Sequence, residues 1–120
     1  MKIAISASGQ TVDSLLDKRF GRCEYFVIQD SDTGQVETIE NKGIKSEGGA
    51  GIAAAQQIID SGVDVILTGN LGPNAFKLID KAGIRAYKCD EIVIRDALEK
   101  FSSGELSEIK KSGPAHHGGH

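Results

Sequence analysis

Two stretches of this 120-residue chain set glycines at the start of a helix-like pattern. Gly48-Gly49-Ala50-Gly51 runs into one apolar-periodic segment, and Gly69-Asn70-Leu71-Gly72-Pro73-Asn74 runs into another. The first turn of a helix leaves backbone N–H groups unpaired and carries partial positive charge, so each loop is a potential anion site. Glycine suits that chemistry because a side chain would hold the anion away from the backbone donors. Taken singly, either loop can equally be a plain change of direction; two in one small domain favour a site. Upstream lies the densest cationic run, Asp17-Lys18-Arg19-Phe20-Gly21-Arg22-Cys23. Arg19 and Arg22 can offer planar, permanently charged donors to an anionic ligand. The plainer alternative is solvated charge, or pairing of one of them with Asp17.

Metal ligands are few. Cys23 and Cys89 lie far apart and outside any C-x-x-C spacing, which argues against a disulfide or a zinc knuckle. Cys23 is a candidate soft-metal ligand, weighed against the role of a small core residue. The only histidines are His116, His117 and His120. Imidazoles at i, i+1 and i+4 on a glycine-rich backbone can chelate Ni, Cu or Zn ions, or bind metal only adventitiously. No histidine stands in the body of the chain as a general base. No Ser-His-Asp or Cys-His set and no compelling carboxylate pair is visible. The chain therefore reads as a binding protein, not an enzyme.

Gly49-x-Gly51-x-x-Ala54 also fits a loose dinucleotide fingerprint. That motif needs a strand directly before the first glycine and an acidic residue roughly 20 positions later, at the end of a second strand. Mostly polar residues 41–47 stand where the strand should be, and the following strand ends in Thr68-Gly69. A Rossmann cofactor is disfavoured on both counts, and no Gly-Lys-Ser/Thr triplet marks a P-loop.

The elements that must position these residues follow from periodicity. Strands are expected at 2–7, around 25–28 and at 36–41, the last two forming a hairpin across Asp32-Thr33-Gly34. A helix follows over 50–61, closed by Gly62, then a buried strand at 63–68. Pro73 opens a helix near 73–82, and 84–88 is a strand. Asp90 can cap a helix carrying Ile94, Ala97, Leu98 and Phe101, and a short helical segment is expected over 105–111. The order β-β-β-α-β-α-β-α implies an α/β fold with a mixed five-stranded sheet and helices on both faces. Residues 1–111 form a single domain and 112–120 a flexible Gly/His tail.

Composition agrees with one globular domain: 39% apolar residues, 26% charged residues, 15 glycines and a net charge of −3. No basic block suggests nucleic acid, and no apolar run approaches membrane-spanning length. MKIAISAS is too short and too polar for a signal peptide, so the expected location is the cytoplasm.

Three separated motifs now stand together: Arg19-Phe20-Gly21-Arg22 followed by Tyr25-Phe26, the Gly48–Gly51 helix start, and Gly69-Asn-Leu-Gly-Pro-Asn74-Ala-Phe76. In this order and spacing the chain resembles, over residues 1–101, the dinitrogenase iron–molybdenum cofactor biosynthesis family. That family includes NifX and NafY accessory proteins and the C-terminal part of NifB. The resemblance implies a ribonuclease H-like three-layer fold and a non-catalytic carrier or assembly factor for an anionic metal–sulfur cluster of Mo/Fe–S type, transiently bound. It implies that Arg19, Arg22, Gly49, Gly51, Asn70, Gly72 and Asn74 rim the pocket. Cys23 or the histidine tail would stand in for the in-domain histidine that cluster-carrying relatives use. Implied partners are cluster donor and acceptor proteins, the chain itself being a monomer or weak homodimer. The competing reading is a regulatory domain binding a nucleotide or phosphometabolite at the same two helix starts. A nuclease, suggested by the fold alone, lacks a visible metal-binding carboxylate set.

Overall fold

In the computed structural model the described residues are 1–45 and 48–113. Their elements run β1 (Lys2–Ala7), β2 (Tyr25–Asp30), β3 (Val36–Glu40), a 3-10 turn (Lys42–Lys45), α1 (Ala50–Asp60), β4 (Val65–Thr68), α2 (Pro73–Lys81), β5 (Arg85–Lys88), α3 (Ile94–Ser102) and β6 (Ser107–Glu108). One six-stranded sheet has the order β3-β2-β1-β4-β5-β6. β1 is the pivot, antiparallel to β2 and parallel to β4. The β2–β3 pair is antiparallel and β4–β5 is parallel. No helix among the described residues is long and apolar enough to cross a membrane.

Side chains alternating along each strand divide the core into two layers. Ala4, Phe26, Ile28, Ile66 and Ala86 pack with Ala54, Ala55 and Ile58 of α1 and with Ala75 and Ile79 of α2. Ile3, Ile5, Val27, Val65 and Leu67 pack on the other face, with Ile94 and Ala97 of α3. Covered on both sides, β4 reads Val65-Ile66-Leu67 without a polar break, as a central parallel strand should.

Two local expectations are overturned. Residues 105–111 are not helical: β6 adds a sixth strand, antiparallel to β5 through Tyr87–Glu108 and Lys88–Ser107. Leu106 packs into the α3-side layer and Ile109 into the opposite one. A helix would put residues three apart on the same face, whereas a strand puts them on opposite faces. The second concerns Asp90, which does not cap α3. Val93 is the N-cap residue, and the N–H groups of Ile94 and Arg95 donate to the carbonyls of Ser14 (2.9 Å) and Val12 (2.8 Å) in the β1–β2 connection.

That long connection is tied down from beneath. At the ends of β1 and β4, the fully buried hydroxyls of Ser6 and Thr68 share a 2.7 Å hydrogen bond. Ser6 also donates to the Asp17 carbonyl at 2.6 Å and accepts the Asp17 N–H at its own carbonyl. The Asp17 carboxylate, itself buried, receives the Arg19 N–H at 2.9 Å and the Arg19 guanidinium through Nε (3.1 Å) and one Nη (3.0 Å). Burial pushes the Asp17 pKa up, but the hydrogen bonds and charge of Arg19 outweigh it and hold the carboxyl below its ordinary value of 3.8.

Backbone contacts complete the arrangement. A Cβ on Gly21 would sit 2.8 Å from the Gly51 nitrogen, and one on Gly69 would strike the Lys18 side chain and lie 2.7 Å from its Cα. We expect Gly21→Ala to lose about 1–3 kcal/mol in urea unfolding. Gly48→Ala, where an added Cβ meets nothing within 4 Å, should stay within about 0.5 kcal/mol of the parent. Equal effects would contradict the packing argument. A carboxyl with a depressed folded-state pKa stabilises fully above its unfolded value, and that contribution is lost as pH falls through the folded value. Arg19 is half exposed, which screens the pair. Asp17→Asn should therefore lose only about 1–2 kcal/mol at pH 7 and lose less on acidification below 3.8 than the parent does. An unchanged acid limb would show that the pair contributes nothing.

Candidate functional site

Beyond the carboxyl ends of β1 and β4, the chain leaves β1 toward one edge of the sheet and β4 toward the other. Open α/β sheets form ligand crevices at such divergence points. Here the crevice is a cleft of about 700 Å³, lined by Arg19, Phe20, Gly21, Arg22, Gly48, Gly49, Ala50, Gly51, Ile52, Asn70, Gly72, Pro73, Asn74 and Ala75. Its size falls in the range of about 300–1,000 Å³ usual for small-molecule and cofactor sites.

Three segments build it. The first is the arginine run after β1, which Asp17 holds from below and a parallel bridge from Arg19 to Asn70 ties to the β4 loop. The second is the start of α1, where Gly49 takes a left-handed turn (φ 71°) that a β-carbon would strain. The third is the start of α2, with Gly72 as N-cap residue and Pro73 in the first turn. A Cβ on Gly51 would lie 3.4 Å from the Ala75 Cβ, so the two helix starts stand side by side.

Neither α1 nor α2 has a side-chain cap or an acidic residue in its first turn. α3 differs, since loop carbonyls take its leading N–H groups. The positive ends of two helices thus converge on one cleft, joined by two guanidinium groups and opposed by no carboxylate among the described lining residues. Asp17 raises the proton affinity of Arg19 still further, so the guanidinium stays charged. Nε and one Nη are engaged, and a guanidinium has five N–H donors in all. Arg22 reaches the Ile44 carbonyl through Nη1 at 3.3 Å.

Arg19, Arg22, Gly49, Gly51, Asn70, Gly72 and Asn74 therefore share a single cleft. Cys23 does not join them. It is fully buried in the core, its thiol 3.3 Å from the Phe20 carbonyl and 3.8 Å from the Asn41 amide nitrogen. Burial pushes the thiol up to about 12, and it does not reach the cleft. Cys23, a candidate metal ligand weighed against a core role, packs here as a core residue apart from the cleft lining. His116, His117 and His120 lie outside the described residues. No group of three or more His, Cys, Asp or Glu suited to a metal ion occurs among the described residues.

The pairing of Asp17 with an arginine was foreseeable from their two-residue spacing. The apolar part of the lining, Phe20, Ile52 and Pro73, was not. Ile52 lies in the first turn of α1 and remains 43% exposed at the cleft. Its place in the apolar helical pattern pointed it to the core instead.

The 3-10 turn ahead of α1, in place of a strand, removes the structural context of a dinucleotide fingerprint. Comparison with known proteins gives the cleft a different setting. The family model described as dinitrogenase iron-molybdenum cofactor matches residues 1–104. An uncharacterized protein of Methanocaldococcus jannaschii is 32% identical over 113 residues, 92% of each chain. The apo form of the orange protein of Desulfovibrio gigas superposes with a TM-score of 0.90 at 37% identity, covering 93% of this chain and 95% of that one. A Thermotoga protein provisionally described as NifB superposes with a TM-score of 0.82 at 32% identity over 98% of both chains. The strand order, the helix starts and this likeness along nearly the whole length agree, and the chain belongs to the dinitrogenase iron-molybdenum cofactor family.

Proposed function

We propose that the cleft is a cradle for an anionic metal–sulfur cluster, and that the protein carries or helps assemble such a cluster without catalysing a reaction. One observation carries the reading: two uncapped helix starts and two arginines face a single cleft with no carboxylate among its described lining residues. Backbone N–H groups and guanidinium donors stabilise negative charge on sulfide, while Phe20, Ile52 and Pro73 offer apolar surface to a large, polarizable ligand. Held this way, the cargo is bound by charge and hydrogen bonds and can leave without breaking a protein–metal bond. That suits a carrier passing an iron–molybdenum or related cluster between donor and acceptor proteins.

Family membership supports the cluster over other anions, and the structural relative from Desulfovibrio gigas was solved as an apo form, a state defined by a group the protein can hold. The β3-β2-β1-β4-β5 order, antiparallel on one side of β1 and parallel on the other, supports the ribonuclease H-like assignment. We place the protein in the cytoplasm as a monomer or weak homodimer.

Gly72 offers a clean test. Its φ of −67° suits any residue, and an added Cβ would meet nothing within 4 Å. Packing therefore does not demand glycine there, whereas close approach of an anion to the α2 N-terminus does. Tetrathiomolybdate added anaerobically should shift its charge-transfer band stoichiometrically on the parent protein. Arg19→Ala/Arg22→Ala should bind about tenfold or more weakly, two charge-assisted donors being lost. Gly72→Ala should also bind more weakly, with folding stability within about 1 kcal/mol of the parent. No band shift on the parent, or full binding by both variants, would overturn the proposal. Thermal stabilisation by a nucleotide, with none from tetrathiomolybdate, would favour the phosphate-ligand reading.

A further inference from the structure

The residues after β6 return to the cleft. The Ile109 N–H donates to the Ala86 carbonyl at 2.7 Å, and the Ile109 side chain packs into the core layer shared with α1 and α2. Ile109 and Lys110 line a small cavity together with Phe76, Ile79 and Asp80 of α2. Farther on, the Gly113 N–H donates to the Leu71 carbonyl at 2.8 Å. Residues 109–113 thus form a strap beside α2, pinned to the sheet at Ile109 and to the β4–α2 loop at Gly113.

The second pin meets the cleft at two points. Leu71 stands between Asn70 and Gly72, and both of those line the cleft. The Leu71 carbonyl and the Gly72 N–H belong to one planar trans peptide and point in opposite directions, so holding the carbonyl fixes the N–H. No acceptor among the described residues takes that N–H. The other point is the Asn70 side chain. A Cβ on Gly113 would run into its Oδ1 and lie 2.8 Å from its Cγ. Gly113 lies outside the left-handed region, so its backbone does not call for glycine. Only the contact with Asn70 leaves no room for a side chain there.

We propose that the strap is a positioning element of the cleft: Gly113 sets the place of the Asn70 carboxamide and the direction of the Gly72 N–H, so anion binding and strap docking strengthen each other. This inference rests on the cradle reading above. Two sources of N–H donors, a carboxamide and a backbone amide, are then held from outside the cleft. An anion that engages them stabilises the strap contacts, and by linkage the docked strap tightens the anion to the same degree. The strap follows residues 1–104, which the family model matches, and acts on a cleft built within them.

A double-mutant cycle on the full chain tests this, with tetrathiomolybdate as the anion. Gly113→Ala should weaken binding about fivefold or more. Its urea midpoint should stay at the parent's, because the group displaced is the end of a movable side chain. In an Asn70→Ala background the same substitution should cost less than about twofold, since no carboxamide remains to be displaced. Reciprocally, saturating tetrathiomolybdate should slow hydrogen exchange at the Gly113 amide about fivefold or more. Parent-like binding by Gly113→Ala, an equal loss in both backgrounds, or Gly113 exchange indifferent to the anion would each overturn the proposal and leave the cradle standing. A parent that does not bind tetrathiomolybdate would bring down the cradle reading and the strap proposal together.

Discussion

The cleft depends on backbone lying directly against backbone where three loop segments meet. Gly21 rests on the α1 start at Gly51, and Gly69 rests on Lys18 of the arginine run. Neither junction leaves room for a side chain, so the distances between the arginines and the two helix starts are set by main-chain contact. Main chain has fewer soft degrees of freedom than side chains packed loosely across a gap. This is how a 120-residue chain with few aromatic residues obtains a rigid site on loops. The strands beneath contribute a second constraint. The Ser6–Thr68 hydrogen bond at the ends of β1 and β4 fixes the level from which both loops depart.

Electrostatics and packing act on the same residues. α3 uses its first N–H groups to hold the β1–β2 connection, through Val12 and Ser14, whereas α1 and α2 present theirs to the cleft. The three helices therefore divide the labour: one positions the cationic run and two complete the positive lining of the cleft with it. Short side chains at the α1 and α2 starts let the two ends stand together. Gly51 and Ala75 are nearly in contact there, and larger residues at those points would push the positive ends apart.

Much of this was readable in the residues. β1, β4 and α1 announce themselves by unbroken apolar runs or helical spacing, and their observed limits fall within a few residues of the expected ones. The two glycine-bearing helix starts and the arginine run each carry a local pattern, and the seven residues singled out from them share one cleft. What escaped depends on contacts remote in sequence. Asp90 looked like a cap because the donors of α3 had no visible alternative; their partners are loop carbonyls some 80 positions earlier, and carbonyls leave no mark on a sequence. Segment 105–111, expected to be helical, has two apolar residues three apart. Only the sheet edge left open by β5 turns that spacing into opposite faces of a strand. Cys23 was ambiguous for a similar reason: a small sulfur residue at a strand's start suits a core or a metal, and only the packing shows that it lies in the core.

The buried Asp17 lies beneath the positively lined cleft although its charge offsets that of Arg19. Its position makes sense once the cost of ordering is counted. Immobilising a long side chain on binding costs about 0.5–1.5 kcal/mol. Asp17 grips Arg19 through both Nε and Nη and also receives the Arg19 N–H, so that cost falls on folding and not on ligand capture. Part of the attraction is given up for an arginine already in place. Under the proposed carrier role, in which cargo is both taken up and released, that exchange is favourable. Affinity built on long-range charge alone would hold any anion, whereas donors fixed in position favour one whose shape matches them. Arg22 is held differently, donating through Nη1 to the main-chain carbonyl of Ile44 at 3.3 Å. The two arginines thus reach the same cleft from different anchors, Arg19 from a buried carboxylate and Arg22 from a main-chain carbonyl.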